Sequence, residues 1–184
     1  MQKLFINKSL YLLFVFLKPS KTKLMREHPI PTLIQKAHTW ARDRLGSPDY
    51  CFRCLAFVED AYEQSNSIEL WGGSTAMESA LDYGVTNETP APEGVFVFFS
   101  ATGPIDGETR NWGHVGLSLG DGRVIHAWDR VRIDAIEEVE RLSGAPGWES
   151  PKYLGWTPLE RVRQGWQPRP WDARARAGLS PRKS

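Results

Sequence analysis

Between residues 32 and 83 the apolar positions recur at helical spacing. Leu33, Ile34, Ala37, Trp40, Ala41 and Leu45 form one stripe between Pro31 and the breaker Gly46-Ser-Pro48, which predicts a helix over 32–45. Cys54, Phe57, Val58, Ala61 and Tyr62 form a second stripe, over 53–64. A third helix is predicted from Thr75, where Thr-x-x-Glu78 fits a capping box, to Tyr83, with Gly84 as its stop. Beyond Pro90 the period changes from 3.6 to two. Val95-Phe-Val-Phe-Phe99, Val115-Gly-Leu-Ser-Leu119 and Val124-Ile-His-Ala127 are short β-rich runs between Gly/Asp turns, with shorter strands expected at Val131-Arg-Ile133 and Tyr153-Leu-Gly-Trp156. Helices first and strands afterwards predict an α+β fold, N-terminal helices packed on an antiparallel β-sheet.

Both ends of the chain fall outside this pattern. The expected organisation is an N-terminal extension over 1–30, one domain over 31–162 and a basic, disordered tail over 163–184. The apolar run from Leu10 to Leu17, bounded by Lys8 and Lys18, is too short for a bilayer-spanning helix, so no stable transmembrane anchor is expected. It has the look of a signal-peptide apolar region but lacks small residues at cleavage spacing. The composition also changes at Met25, from Lys, Leu and Phe to Ala, Arg, Trp and Gly, which suggests Met25 as an alternative start. A working signal would make the protein extracytoplasmic, and a start at Met25 would make it cytoplasmic.

Composition narrows the class further. With 184 residues, 41% hydrophobic, 24% charged, 16 glycines and 13 prolines, the chain suits one globular domain and excludes disordered, collagenous and coiled-coil readings. The net charge of +1 is a cancellation, because residues 31–160 carry 10 basic and 20 acidic side chains while both ends are basic. An acidic middle excludes a nucleic-acid platform, which needs clustered Lys and Arg on the folded surface. Two cysteines, Cys51 and Cys54, cannot build a disulfide scaffold, so their chemistry is thiol reactivity, a redox pair or half of a metal site.

Cys54 stands at the start of the second helix, where unpaired N–H groups and the positive dipole end favour a thiolate. A nucleophilic cysteine needs a base and a group that orients the base. His114 and His126 lie in the strand region. A two-residue Asp121-Gly122 turn would pair Leu117 with His126 and put the histidines on opposite faces. A three-residue Gly120-Asp121-Gly122 loop would pair Gly116 with His126 and put His114, Gly116 and His126 on one face, with Gly116 leaving room for a helix end or substrate. Taken singly, a helical cysteine is more often a small core residue, and a strand histidine more often structural.

Together these residues resemble a family. Cys54-Leu-Ala-Phe-Val-Glu-Asp-Ala-Tyr62 is similar to the Cys-Ser-Gly-Leu-Val-x-x-x-Tyr helix of the NlpC-type, papain-like cell-wall cysteine peptidases. Gly113-His-Val-Gly-Leu-Ser-Leu-Gly-Asp-Gly-Arg-Val-Ile-His-Ala127 resembles their His-Val-Gly-Ile-Tyr-Leu-Gly-x-Gly-x-x-Ile-His-Ala hairpin, and Pro92-Glu-Gly-Val-Phe-Val-Phe-Phe99 the strand before it. The resemblance implies a minimal papain-like domain with Cys54 as nucleophile, His114 as general base and then acid, and His126 as the residue orienting His114. It implies a peptide or peptidoglycan-fragment substrate and no cofactor or metal. Tyr50, Trp112 and Trp128 are candidate oxyanion or pocket residues. The family's acidic and serine neighbours of the cysteine, which help recognise a free amino terminus, are here Arg53 and Leu55, so the bond cleaved, and endopeptidase against the related CHAP-type amidase, stay open. The rivals are a Cys51-x-x-Cys54 redox protein, a zinc site from both cysteines and both histidines, and a catalytically inactive binding domain.

Overall fold

The computed structural model describes residues 29–162 and the backbone pairing of 167–168. The apolar run at 10–17, the alternative start at Met25 and most of the basic C-terminal tail lie outside the described residues. The elements, in chain order, are helices α1 (Ile30–Arg42) and α2 (Cys54–Asn66), strand β1 (Ile68–Glu69), helix α3 (Ala76–Tyr83) and strands β2 (Phe96–Ser100), β3 (Thr102–Ile105), β4 (Glu108–Asn111), β5 (His114–Ser118), β6 (Arg123–Ala127) and β7 (Val131–Ala135). They are followed by the one-turn helix α4 (Ile136–Val139), strand β8 (Lys152–Thr157), the short helix α5 (Leu159–Val162) and strand β9 (Gln167–Pro168). This is the α+β order expected from the change of period.

Helix α1 starts on Pro29 with Pro31 in its first turn and ends three residues before the apolar stripe does. Arg44 and Leu45 donate to carbonyls three residues back, a tightening turn that leaves Leu45 48% exposed instead of on the buried face. Helix α2 closes on Ser67 in the left-handed conformation. Thr75 caps α3, its hydroxyl accepting from the Glu78 N–H at 3.2 Å, while the Glu78 carboxylate accepts from Ser74 N–H at 2.8 Å.

Five strands form one antiparallel sheet in the order β7-β6-β5-β2-β8. Its two faces are sorted by alternation. Phe96, Phe98, Val115, Leu117 and Ile125 join Leu33, Phe57, Val58 and Ala61 of the helices in the main core. Val97, Phe99, Val124 and, from β8, Trp156 face the other way and pack with Val139 of α4. Burying the apolar stripes of α1 and α2 on the first face contributes about 1.5–3 kcal/mol for each large side chain removed from water.

A separate hairpin, β3-β4, turns on Asp106-Gly107, both with positive φ. Its strands, Thr-Gly-Pro-Ile and Glu-Thr-Arg-Asn, carry no alternating apolar pattern, so only the Asp-Gly turn announces them. Gln167–Pro168, inside the stretch expected to be a solvated tail, pairs antiparallel with Ile68–Glu69.

Candidate active site

Cys54 is the first residue of α2, and the residue at the cap position, Arg53, makes no side-chain cap. The first-turn N–H groups of a helix have no partner within it, and here they remain free for the sulfur. The N–H groups of Val115, Leu55 and Cys54 itself favour the thiolate, but burial outweighs them and pushes the thiol up to about 11. The helix start therefore moderates the acidity of Cys54 without producing a resting thiolate, a correction to the expectation from the dipole alone.

The β5-β6 hairpin uses the three-residue loop. Gly116 pairs with His126 and Ser118 with Val124, and Gly120 and Gly122 both take positive φ. His114, Gly116 and His126 thus share the sheet face turned away from α2. A Cβ on Gly116 would meet Val124 Cβ at 3.0 Å and His126 Cβ at 3.1 Å. The room left by this glycine is taken up by the neighbouring strand, not by a helix end or substrate.

On that face a polar chain runs across three strands. His114 Nε2 lies 2.8 Å from His126 Nδ1, and His126 Nε2 lies 2.9 Å from Asp134 Oδ2. Arg132 closes the chain, with Nη2 donating to Asp134 Oδ1 at 3.1 Å. His114 and His126 are 2% and 0% exposed, so the contacts from His114 to His126 and from His126 to Asp134 are made out of water, while Arg132 meets Asp134 at the half-buried end. Asp134 and Arg132 were not singled out from the sequence. The signal was present, because alternation along Val131-Arg-Ile-Asp-Ala135 puts Asp134 on the same face as Val124 and His126 once the β6-β7 register is known.

The chain of contacts fixes the tautomers. The His126 contact, reinforced by Arg132, holds the Asp134 carboxyl down at about 2, so it accepts. His126 then carries its proton on Nε2 and accepts at Nδ1, which requires His114 to donate from Nε2. Nδ1 of His114 is left with a lone pair. Burial, and then the neighbouring His126, hold His114 well below 6.5, and burial also lowers His126 despite the carboxylate. Both rings are neutral at pH 7.

A cavity of about 750 Å³ opens beside this arrangement, lined by Cys54, His114, Trp112 and Trp128 among others. Trp128 meets the His114 ring edge-on at 5.0 Å and ties its indole N–H to Ser143 O at 3.1 Å. Trp112 donates to Gly103 O at 2.8 Å with the Arg110 guanidinium over its ring. Tyr50 is not among the lining residues. Its hydroxyl donates to Asp60 Oδ2 at 2.7 Å, its ring packs between Trp40 and Phe57, and burial pushes it up to about 12, so it is neither free to donate to an oxyanion nor part of the wall.

Gly113 positions the first histidine. It has φ +74°, and a Cβ there would lie 2.4 Å from Met77 N and 2.9 Å from Ala76 C, backbone atoms at the start of α3. Gly113→Ala is expected to cost about 1–3 kcal/mol in strain and to displace His114. Thermal melting and activity should both fall, and an unchanged melting midpoint would contradict this close approach.

Stability should follow the buried histidines. His38, His114 and His126 are all lowered by burial. Above pH 6.5 they are neutral in folded and unfolded chains alike, and their contribution is complete. Below 6.5 the unfolded chain takes up protons that the folded one refuses, so stability falls by up to about 1.4 kcal/mol per pH unit for each. Asp134 has the same sign lower down, its contribution being lost as pH falls from 3.8 toward about 2. The urea midpoint should therefore drop between pH 7.5 and 5.5; a constant midpoint would contradict the buried neutral rings.

The rival chemistries fare differently. Both cysteines are free thiols, and the segment before them is α1 followed by turns, whereas a redox Cys-x-x-Cys follows a buried strand. Both nitrogens of His126 are engaged, by His114 and Asp134, and no group of three or more metal-ligating side chains occurs among the described residues.

Known proteins bear on the same region. No curated protein matches the chain. RipD from Mycobacterium tuberculosis, a non-catalytic NlpC/p60 domain protein described as adapted to peptidoglycan binding, is a solved structure with 15% identity and a TM-score of 0.45, the match covering 69% of this chain and 97% of that one. Residues 39–142, more than half of the chain and the whole of the Cys54, His114, His126 and Asp134 arrangement, match the NlpC/P60 family. The chain belongs to the NlpC/P60 family, and this region is a cell-wall peptidase-like domain.

Proposed function

We propose that the protein is a thiol-dependent hydrolase that cleaves an amide bond in peptidoglycan stem peptides, with Cys54 as nucleophile, His114 as base and His126 and Asp134 as its orienting partners. What supports this reading most is the unbroken polar line from Asp134 through His126 to His114, beside a cavity that Cys54 also lines. A purely structural pair of histidines has no need of a fixed tautomer beside a cavity that a cysteine also lines.

The resting pair is neutral, so the proton moves as the bond forms. The Cys54 thiol gives its proton to His114 Nδ1 while sulfur bonds to the carbonyl carbon, and first-turn N–H groups of α2 hold the developing oxyanion. The tetrahedral species collapses, the C–N bond breaks and the leaving amine takes the proton from His114. Water then gives a proton to His114, attacks the thioester and releases the acid, and the proton returns to sulfur.

Digestion of purified muropeptides with mass analysis of the products tests this directly. The expected result is two fragments that together exceed the substrate by one water. A second reading, binding without catalysis, is favoured by the raised Cys54 thiol, and predicts retention of muropeptides with no fragments.

The pH profile carries a sharper expectation. With His114 lowered well below 6.5 and Cys54 raised to about 11, kcat/KM should climb on an acidic limb below pH 6.5 and stay level up to about 11. A narrow bell centred near neutrality would contradict the neutral resting pair.

A further inference from the structure

His126 lies within reach of two opposite charges, and only the carboxylate has a part in the proton transfer described above. The β6-β7 register sets His126 directly opposite Arg132, so imidazole and guanidinium project from the same face of the sheet. Arg132 meets Asp134 along one edge of its guanidinium: Nε forms an ion pair with Oδ2, and Nη2 donates to Oδ1 at 3.1 Å. Oδ2 is also the oxygen that accepts from His126 Nε2 at 2.9 Å. One carboxylate oxygen therefore serves an imidazole and a guanidinium at once. The remaining nitrogen, Nη1, lies 3.4 Å from Asp129 Oδ1. The Arg132 side chain keeps 28% of its surface in solvent, and a guanidinium stays charged throughout the working pH range.

A lone carboxylate beside an imidazole favours a second proton on the ring. On His126 that proton would enter at Nδ1, which would then donate to His114 Nε2 and drive the His114 proton onto Nδ1. Wherever along the pair the added charge rests, His114 Nδ1 is occupied and the base has lost the lone pair that the thiol needs. The guanidinium opposes this. With a neutral ring, Asp134 and Arg132 cancel; a protonated His126 would set one cation opposite another across the strand pair. Among the described residues, the other titratable groups facing the two histidines are Asp129 from the β6-β7 turn and Cys54, which lines the same cavity. Phe99 of β2, with Tyr153 of β8 against it, and Trp128 pack on the His114 ring. Burial is the largest influence holding His126 neutral, Asp134 and Asp129 pull the other way, and Arg132 acts with burial.

We propose that Arg132 is a positioning residue: it keeps the His114–His126 pair neutral in mildly acidic surroundings, and so keeps His114 Nδ1 bare for the Cys54 thiol. This rests on the hydrolase reading above and deepens it, because it assigns the residue that sets the acidic limit of activity. Two readouts test it on the full chain: the position of the acidic limb of kcat/KM for a muropeptide, and the titration of the His126 ring followed by nitrogen NMR of histidine-labelled protein. Arg132→Gln removes the charge and should move both readouts up by about one pH unit, the effect of losing a nearby like charge. Arg132→Lys keeps the charge without the fork and should leave both near their unaltered positions. Asp129→Asn, at a side chain 52% exposed, should move both down, and it decides the matter if Arg132→Gln does not fold. An unmoved limb in Arg132→Gln, an equal shift in the glutamine and lysine variants, or an upward shift in Asp129→Asn would overturn the proposal. The NMR shifts without hydrolysis by the unaltered protein would sink the hydrolase reading alone. Hydrolysis with both readouts unmoved would sink the role of Arg132 alone, and neither hydrolysis nor NMR shifts would sink both.

Discussion

Cys54→Ser is expected to lower hydrolysis by about 10⁴-fold or more, and His114→Ala by a similar factor, because members of one proton-transfer unit fail together. The physical reason lies in the resting state. His114 is a weak base, held low by burial and by His126, and Cys54 is a weak acid held high by burial. A thiol is still acidic enough to hand over its proton as the S–C bond forms; a serine hydroxyl, several orders of magnitude less acidic, is not. Cys51→Ser should stay within a few fold of the unaltered protein. Cys51 lines the same cavity but sits in the turn before α2, its N–H bound to Pro48 O at 3.0 Å, away from the helix start. Equal loss in the Cys51 and Cys54 variants, together with reduction of a disulfide test substrate, would replace the hydrolase by a redox protein.

The second large effect belongs to a residue that touches no substrate. In Asp134→Asn the amide keeps the shape of the carboxylate, and its NH₂ can donate to His126 Nε2. The proton of His126 then moves to Nδ1, His114 Nε2 must accept it, and the proton of His114 shifts to Nδ1, the nitrogen that the Cys54 thiol needs bare. The expected outcome is a fall in kcat of about 10²- to 10⁴-fold with KM close to unaltered, beside a lower melting midpoint from the lost carboxylate pairing. A merely structural Asp134 would show the lower midpoint with kcat retained.

Much of this arrangement was legible before any coordinates. The change from 3.6-residue to two-residue periodicity after Pro90 separates the helical layer from the sheet, since each element has to bury one face. The pairing of Gly116 with His126 was one of two registers allowed by the Gly-Asp-Gly loop. The left-handed glycines on both sides of Asp121 are what the longer loop requires. Other parts depended on packing that no local pattern encodes. Asp134 reaches His126 diagonally across two strands, a relation set by the β6-β7 register. Tyr50 was drawn to the pocket by its nearness to Cys54 in the chain, yet the turn at 50–53 directs its hydroxyl to Asp60. The acidity of Cys54 went astray for a related reason: the helix start is visible in the sequence and the depth of burial is not.

The claim at the centre is that Cys54 sulfur becomes covalently bonded to the acyl half of the substrate. Acid quenching of the protein during turnover of a muropeptide, followed by mass analysis of its proteolytic fragments, reads that bond directly. The expected result is a thioester-linked acyl group on the fragment containing Cys54, present in the unaltered protein and missing in Cys54→Ala. Turnover that proceeds with no adduct on Cys54, or with the adduct on Cys51, would contradict it.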